Sequence, residues 1–585
     1  MLFMKSVLAY YKKYIPFVLI IIVALFGQVV CELLLPNYMS DIINKGIVAG
    51  DQDQIVHTGT IMIFIAAAAA VCSITGTLFA SLTAAKAVRR IRKDLFHKVT
   101  RFTAAEMDKF STASLITRST NDAQMVQQAT IMSLRMMLFA PLMGIGAVIM
   151  ALRTSTALSW TILLALACVC GLMVFSFIAV FPKFRVMQEK LDRVNLILKE
   201  RLSGTLVVRA FRTEKQEEDR FDEANVELTK IYIFVNKCLA FMMPTMTFIM
   251  SGVGILIVWA GAHLIDAQQL LIGDMLAYLQ YAMHVIMSFM FVTIIFVMIP
   301  RAAVSAKRIG EILDTEISIT DPQEPKSPHP VPGADMGMPV EFRNVSFSYP
   351  GSDENVLEGI SFTANPGETT AIIGGTGSGK STMINLIPRF YDVKGGEILL
   401  GGVDVREMTQ KELHSHIGMV PQKGTLFAGT IESNLKYGDE NATREDLIKA
   451  CEIAQAMEFI NAKPEGFDEE VAQGGTNVSG GQKQRLCIAR ALVKKPDVLI
   501  FDDSFSALDF ATDKALRKAL KENIGGCTFI IVAQRINTIM DAQQIIVLED
   551  GRIAGKGTHE ELMSTCGIYK EIALSQLSEE ELGVM

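Results

Sequence analysis

Six long stretches with almost no charged side chains constrain this sequence more strongly than any other feature. They cover residues 15–35, 58–85, 136–152, 154–182, 238–265 and 275–300. A helix needs about 20 apolar residues to cross a bilayer, and buried helices of a water-soluble protein could explain one such stretch but not six. The sequence therefore predicts an all-α transmembrane domain with six spans. The third stretch is short, so we expect its helix to begin before Arg135.

The distribution of lysine and arginine predicts the orientation of these spans. Residues 86–130 contain nine Lys or Arg and residues 183–237 contain twelve, whereas the connections 37–57 and 266–274 contain only Lys45. Because cytoplasmic loops are enriched in these residues, both termini and both long loops are expected in the cytoplasm. The loops also have helical patterns, which predict arms of about 20 residues that project roughly 30 Å from the membrane.

The composition changes after residue 301. Five prolines between residues 322 and 332 indicate an extended linker. From about residue 339 the pattern becomes that of alternating strands and helices in an α/β domain. We therefore predict a transmembrane domain over 1–312, a linker over 313–338 and an α/β domain over 339–585. The net charge of −7 lacks the basic footprint of nucleic-acid binders, so no nucleic-acid partner is expected.

A glycine-rich segment marks a phosphate site in the α/β domain. The sequence "GGTGSGKST", residues 374–382, follows the apolar strand "TTAIIG" and precedes the helix-like "TMINLI". It fits the P-loop pattern, in which backbone N–H groups surround phosphate oxygens. Lys380 is then expected to reach the β- and γ-phosphates of a nucleotide, and Ser381 offers a hydroxyl to Mg²⁺.

A buried strand brings two adjacent carboxylates to the same kind of site. In "VLIFDDSFSALD", residues 498–509, four apolar residues are followed by Asp502 and Asp503. In parallel α/β domains ligands bind at the carboxyl ends of the strands. One carboxylate there suits a metal ion, and the second could position a water molecule.

A third motif completes the set. The signature "NVSGGQKQRL", residues 477–486, lies shortly before the acidic strand, and "SALD", residues 506–509, follows it. With the P-loop, these motifs resemble those of the ATP-binding cassette (ABC) exporters, and the resemblance covers nearly the whole chain. It implies a half-transporter of a bacterial plasma membrane, with an α/β P-loop nucleotide-binding domain after the six spans. ATP and Mg²⁺ are the implied cofactors, and hydrolysis is coupled to export.

The resemblance also implies roles for individual residues. Tyr349 would stack on adenine, Gln422 and Asp502 would associate with Mg²⁺ together with Ser381, and Asp509 would contact the opposite subunit. The implied P-loop contacts to nucleotide are Gly374, Gly375, Thr376, Gly377, Ser378, Gly379, Lys380, Ser381 and Thr382. The signature residues Ser479, Gly480, Gly481 and Gln482 would close over ATP held by the other subunit's P-loop.

Two cytoplasmic segments, residues 110–123 and 202–221, resemble the coupling helices of these exporters. Their flanks are typical of solvated amphipathic helices. We expect their cores, residues 114–118 and 206–211, to be docking surfaces for the nucleotide-binding domains.

Three residues depart from the family pattern. Asp503 stands where the family has the glutamate that orients the attacking water, and its carboxylate is one methylene, roughly 1.5 Å, further back. A misplacement of 1 Å can cost about 10²-fold in rate. Gln534 replaces a histidine that contacts the γ-phosphate, and Gln473 replaces a glutamate before the signature. We therefore expect this chain to bind ATP but to hydrolyse it slowly at its own Walker face.

Such a chain needs a partner with a complete site. The pattern is similar to one chain of the heterodimeric bacterial ABC multidrug exporters, which implies a second, non-identical half-transporter that performs most of the hydrolysis. Two alternatives remain open. The chain could form a slow homodimeric exporter in which Asp503 suffices, or it could be a catalytically silent regulatory subunit that binds ATP only to assemble and time its partner.

The spans indicate the class of substrate only broadly. They are rich in Met and Phe, as in "FMMPTMTFIM", which suits varied hydrophobic or amphipathic compounds such as drugs or lipids. The same residues are ordinary material for packing and for contact with membrane lipids. Glu32 could attract cationic substrates or gate the outer side, or it could be an interfacial group. His284 has the same ambiguity.

Overall fold

The computed structural model describes residues 9–329 and 337–577. Pro330 and Pro332 of the predicted linker lie outside the described residues. The chain divides into two compact units. The helical unit comprises Met1–Thr100 and Thr112–Thr315, and the α/β unit comprises Arg101–Ser111 and Glu316–Met585.

Long helices account for nearly all of the helical unit. In chain order the α-helices before residue 314 are α1 (Ile15–Asp41), α2 (Gln52–Val99), α3 (Ala104–Lys109), α4 (Thr112–Thr117), α5 (Ala123–Thr154), α6 (Ser159–Ala179), α7 (Phe181–Ser203), α8 (Thr205–Phe211), α9 (Glu214–Asp266) and α10 (Ile272–Leu313). Short π-helical segments, Ile42–Ile47 and Arg118–Asp122, follow α1 and α4.

Five of the six predicted spans are confirmed. Among the described residues, five helical segments are long and apolar enough to cross a membrane, and they contain α1, α2, α5, α9 and the first half of α10. The fourth predicted stretch coincides with α6, whose apolar part, Ser159–Phe175, is shorter. The span predicted over residues 154–182 stays a prediction.

The predicted cytoplasmic arms are helical, and two of them continue directly from spans. Helix α2 has 48 residues, which corresponds to a length of about 72 Å. Helix α9 has 53 residues, or about 80 Å. Helix α5 begins at Ala123, ahead of Arg135, as expected. Apolar side chains such as Phe64 and Phe241 are exposed on this unit, as expected for residues that face lipid.

The α/β unit is built on a six-stranded sheet with the order β12-β11-β3-β10-β9-β6. Five adjacent strands of this sheet, from β11 to β6, are parallel to one another. At the edge, β12 pairs antiparallel with β11. A second, antiparallel sheet has the order β2-β1-β4-β5. The strands are β1 (Val340–Phe347), β2 (Leu357–Ala364), β3 (Thr369–Gly374), β4 (Gly395–Leu400), β5 (Val403–Asp404), β6 (Ile417–Val420), β7 (Gly429–Thr430), β8 (Glu470–Val471), β9 (Val498–Asp502), β10 (Thr528–Val532), β11 (Gln544–Glu549) and β12 (Arg552–Gly557).

Helices cover both faces of the six-stranded sheet. They are α11 (Lys380–Leu386), α12 (Gln410–His416), α13 (Ile431–Leu435), α14 (Arg444–Ile453), α15 (Met457–Asn461), α16 (Gly480–Val493), α17 (Phe510–Ile524), α18 (His559–Thr565) and α19 (Gly567–Leu574). Leu499 and Phe501 of β9 belong to one core, and Val498 and Ile500 belong to the core on the opposite face. This double burial explains why β9 is a continuous apolar run. The predicted α/β fold class is confirmed.

The chain after α10 runs along the α/β unit without forming a helix or strand through residue 329. The Lys326 amide donates to the carbonyl oxygen of Glu407 at 2.8 Å, and the His329 amide donates to that of Gly401 at 3.2 Å. The described part of the predicted linker is therefore held against the unit that it precedes.

Candidate functional site

The sheet order brings the predicted site residues to one edge. Strands β3, β10, β9 and β6 are consecutive neighbours. They lead, in that order, to the P-loop, to Gln534, to Asp502 with Asp503, and to Gln422. Because the strands are parallel, all four segments emerge at the carboxyl edge of the sheet, where ligands bind in this type of fold. Residues separated by up to 160 positions in sequence thus form one site.

The P-loop adopts a conformation that requires glycine at several positions. Gly377 and Gly379 have φ angles of +84° and +98°, which side-chain-bearing residues rarely adopt. A Cβ atom at Gly374 would lie 2.2 Å from the carbonyl oxygen of Leu548. The Lys380 Nζ donates to the carbonyl oxygens of Gly374 at 2.9 Å and Gly375 at 2.6 Å. Burial lowers the pKa of Lys380.

The neighbouring side chains suit a magnesium ion. Ser381 Oγ donates to Asp502 Oδ1 at 3.0 Å, so that a hydroxyl and a carboxylate oxygen lie side by side at the end of the P-loop. Burial is the main cause that raises the pKa of Asp502, and the nearby charge of Asp503 adds to it. No group of three or more His, Cys, Asp or Glu that could hold a metal is found among the described residues. Proteins usually bind Mg²⁺ through one or two carboxylates together with the phosphates of a nucleotide. Ser381 and Asp502 therefore fit the ion.

Asp503 is held by the two glutamines that flank its strand. Its Oδ2 accepts from Gln534 Nε2 at 2.8 Å and from Gln422 Nε2 at 3.3 Å. Its backbone is left-handed, with φ +47°, and its amide donates to the carbonyl oxygen of Val532 at 3.0 Å. The residue is 8% exposed, and burial raises the pKa of its carboxyl group. Gln422, Asp503 and Gln534 therefore form one hydrogen-bonded cluster, which we call the 422–503–534 triad. Asp503 and Gln534 are departures from the family pattern, and Gln422 contacts Asp503.

Tyr349 lies beside the helix that follows the P-loop. Its hydroxyl shares a hydrogen bond of 2.9 Å with Thr382 Oγ1. Its ring meets that of Tyr391 edge-to-face, with centroids 5.3 Å apart. Tyr391 in turn donates its hydroxyl to Asp108 Oδ2 of α3 at 3.1 Å. The sequence-predicted adenine contact is thus linked through Tyr391 to the short helix α3.

The first coupling segment, residues 110–123, is divided between the two units, and the docking of its core stays a prediction. The expected docking core, residues 114–118, lies in the helical unit, where Arg118 donates to Glu311 Oε2 at 2.8 Å and to the Arg308 carbonyl oxygen at 2.7 Å. The segment grouped with the α/β unit is Arg101–Ser111, which contains α3. Glu106 of α3 accepts from the Ser318 amide at 3.1 Å. The sequence signal for α3 was a capping box, because Glu106 bonds the amide of Thr103.

The second coupling segment coincides with α8. This helix has no buried residue, and the exposed fractions of Leu206 and Phe211 are 82% and 75%. An apolar side chain so exposed at the end of cytoplasmic arms is consistent with docking. The docking itself stays a prediction.

The signature residues begin a helix and do not join the P-loop. Ser479 is the N-cap of α16, where its Oγ accepts from the Gln482 amide at 3.3 Å and the Gln482 Oε1 accepts from the Ser479 amide at 3.1 Å. Within residues 9–329 and 337–577, no hydrogen bond or ion pair connects residues 479–482 to residues 374–382. Asp509 caps α17 by accepting from the Thr512 amide at 2.9 Å, which lowers the pKa of Asp509.

Two residues that support the loop of Gln534 were missed from sequence. Gln576 Nε2 donates to the Gln534 carbonyl oxygen at 2.8 Å, and its Oε1 accepts from the Ile536 amide at 2.9 Å. Arg517 of α17 donates to the carbonyl oxygen of Asn537 at 3.3 Å and pairs with Asp513 at 3.0 Å. These contacts span 20 to 42 residues in sequence, and no local pattern indicates them.

Comparison with known proteins agrees with this geometry. Residues 18–289 match the ABC transporter transmembrane region, and residues 357–506 match the ABC transporter domain. An uncharacterized ABC transporter ATP-binding protein of Mycobacterium tuberculosis is 37% identical over 93% of both chains. The uncharacterized ABC transporter ATP-binding protein YfiB of Bacillus subtilis is 36% identical over 99% of both. An ATP-dependent lipid A-core flippase of Pseudomonas fluorescens is 34% identical over 80% of this chain and 76% of its own.

The chain therefore belongs to the ABC transporters. More narrowly, it is a half-transporter of the exporter type, in which a multi-pass membrane domain and an ATP-binding domain are fused in one polypeptide.

Proposed function

We propose that this chain is one subunit of a heterodimeric exporter that moves hydrophobic or amphipathic compounds, drugs or lipids, out of a bacterial cell. Residues 1–312 form its transmembrane domain, residues 313–338 its linker and residues 339–585 its cytoplasmic nucleotide-binding domain. Its own Walker face binds ATP and hydrolyses it slowly. Its signature motif completes the productive site of a second, non-identical half-transporter.

The observation that carries the proposal is the 422–503–534 triad. To act as a general base, Asp503 must accept a proton from the attacking water at hydrogen-bonding distance. One of its carboxylate oxygens already accepts two amide N–H groups, at 2.8 and 3.3 Å. Its side chain is also shorter than glutamate by a methylene. Phosphoryl transfer depends almost entirely on positioning and electrostatics, so both features reduce the rate at this face.

The remaining residues of the face are suited to binding. Lys380 is ready to exchange its two carbonyl acceptors for phosphate oxygens, and Ser381 with Asp502 would hold Mg²⁺. The ion supplies charge neutralisation of the β- and γ-phosphates when bound. Gln534 can donate a neutral hydrogen bond to the γ-phosphate but cannot provide the charge of an imidazolium. ATP at this face is therefore expected to persist and to stabilise the closed dimer.

The exposure of the signature supports its proposed action on another chain. Ser479 and Gly480 are exposed. They lie at the capped N-terminus of α16, a helix of 14 residues. Such a helix start favours an anion. The relatives named as lipid A-core flippases support a lipid-like, amphipathic substrate.

The test is the steady-state ATPase of the purified complex. Ser479→Ala and Gly480→Asp should nearly abolish activity, because the competent site loses its signature. Asp503→Asn should reduce activity only a few-fold. Thr443→Ala is the matched control for loss of a helix cap, because Thr443 caps α14 in the same way. If Asp503→Asn stops hydrolysis as fully as Ser479→Ala, Asp503 is a working base and the proposal is wrong. A chain that is fully active without a partner would indicate the homodimer.

A further inference from the structure

A small cavity, lined mostly by apolar side chains, lies among the membrane-spanning helices. It is lined by residues of α1, α5 and α10, among them Leu25, Gln28, Arg135, Phe139 and Phe291, and it has a volume of about 80 Å³. The rings of Phe139 and Phe291 meet edge-to-face with centroids 6.4 Å apart. The walls are otherwise apolar, so the amide of Gln28 and the guanidinium of Arg135 are the polar groups that a ligand would meet.

Both polar groups have unused hydrogen-bonding capacity. Gln28 is 8% exposed, and its Oε1 is buried without a hydrogen-bond partner. Its Nε2 is engaged, because it donates to Glu32 Oε1 at 2.8 Å. Across the part of the chain that the structure describes, Arg135 makes no ion pair and no hydrogen bond. An ionisable side chain inside a membrane domain without a partner is costly and is a functional candidate by default.

The charges indicate which ligand fits. Among the described residues that line the cavity, the single charged group is the positive guanidinium of Arg135. The Glu32 carboxylate is not part of this lining, and its Oε1 accepts from Gln28. A guanidinium binds oxyanions with two parallel N–H donors. The free Gln28 Oε1 needs a donor, such as a hydroxyl. In its singly protonated form, a phosphate monoester has both an oxyanion and a hydroxyl. The cavity has room for about two to three water volumes, enough for a head group but not for a chain.

We propose that this cavity is the head-group site for an anionic amphipath, with Arg135 binding the oxyanion and Gln28 accepting from its hydroxyl. The inference rests on the proposed function, since it names the class of substrate for the exporter. It differs from the cationic attraction expected for Glu32 from sequence. The apolar tail stays outside the cavity, among the apolar side chains of the spans.

The experiment measures binding of radiolabelled dodecyl phosphate, below its critical micelle concentration, to the full chain in nanodiscs. Arg135→Leu should weaken binding roughly tenfold or more, the size expected for losing a hydrogen bond to a charged group. Gln28→Leu should weaken it several-fold. Arg153→Leu is the matched control, because Arg153 is exposed at the other end of the same helix, and it should bind like the wild type. The cation dodecyltrimethylammonium should compete poorly with radiolabelled dodecyl phosphate for binding to the wild-type chain.

Unchanged binding in Arg135→Leu, an equal loss in Arg153→Leu, or stronger competition by the cation than by unlabelled dodecyl phosphate would each overturn the assignment. Photolabelling by an ATP analogue reports folding of each variant, and a variant that fails it is replaced by Arg135→Gln, for which the same weakening is expected. Transport of dodecyl phosphate is measured separately, in vesicles that contain the complex of this chain with its partner half-transporter. Binding without transport contradicts the exporter function and leaves the head-group site intact, whereas transport without Arg135-dependent binding contradicts only the site.

Discussion

Replacing Asp503 by glutamate tests whether the length of this side chain limits hydrolysis. The added methylene moves the carboxylate forward by about 1.5 Å. If position alone were limiting, a correction of this size could raise the rate at this face by about 10²-fold, which corresponds to about 2.7 kcal/mol in the barrier.

The triad reduces that gain. The longer side chain must leave Gln534, which now donates to the carboxylate at 2.8 Å, and hydrogen bonds to charged groups are worth about 1.5–3 kcal/mol. This loss is comparable with the positional gain. We therefore expect Asp503→Glu alone to raise the rate by about tenfold, and Asp503→Glu with Gln534→His to approach the hundredfold limit.

The assay isolates this chain's own face. Ser479→Ala silences the site that uses this chain's signature, so the residual release of labelled phosphate reports the face that contains Asp503. Asp541→Glu, a change of the same kind at an exposed loop position, is the control and should have no effect. If neither Asp503→Glu nor the double variant exceeds the Ser479→Ala background, side-chain length is not what slows this face, and the reasoning is refuted.

Three further outcomes follow from the site and the arms. Lys380→Ala should weaken photolabelling by an ATP analogue about tenfold or more, whereas Lys411→Ala, at an exposed position, should not; equal labelling contradicts the phosphate role. Phe211→Asp on α8 should preserve photolabelling and lower dye extrusion from vesicles, and loss of both would indicate misfolding. Burial raises the pKa of Asp502 in the folded protein above its ordinary 3.8. The unfolded chain therefore loses this proton first, and the free energy of unfolding falls as the pH rises above 3.8. Asp502→Asn should therefore raise the melting temperature of the nucleotide-free protein at pH 7 and reduce its stabilisation by Mg-ATP; a lower melting temperature contradicts this.

The parts of the site that sequence predicted are those defined by local pattern and strand order. The P-loop follows β3 directly and Asp502 ends β9, and a parallel sheet necessarily brings such ends to one edge. The fold class and five spans follow from hydrophobic patterns in the same way. The departures at 503 and 534 were recognised individually. Their mutual hydrogen bond depends on which way two side chains turn, and sequence does not determine that.

Contacts between distant segments could not be predicted from sequence. An amphipathic pattern indicates that the chain near residues 100–123 is helical but not which turn contacts the α/β unit. The capping box at Thr103 and Glu106 would have placed a separate helix there. Gln576 has no distinguishing context at all, since it is an exposed glutamine near the last described residues. Its role depends on the path of the chain after α19.

If hydrolysis at this face is slow, as proposed, the triad explains how the site can remain well ordered. Gln422 follows β6 and Gln534 follows β10, on opposite sides of the strand that carries Asp503, so one carboxylate oxygen ties two loops together. If that acceptor were removed, both amide donors would lose their protein partner. Gln422 and Gln534 are exposed, so water can replace that partner, and the loss is that of two hydrogen bonds to a charged group. Asparagine can still accept both bonds, whereas alanine cannot. On the proposed function, Asp503 acts as an anchor for the loops around ATP, a role that needs an acceptor at this position but not a correctly placed base.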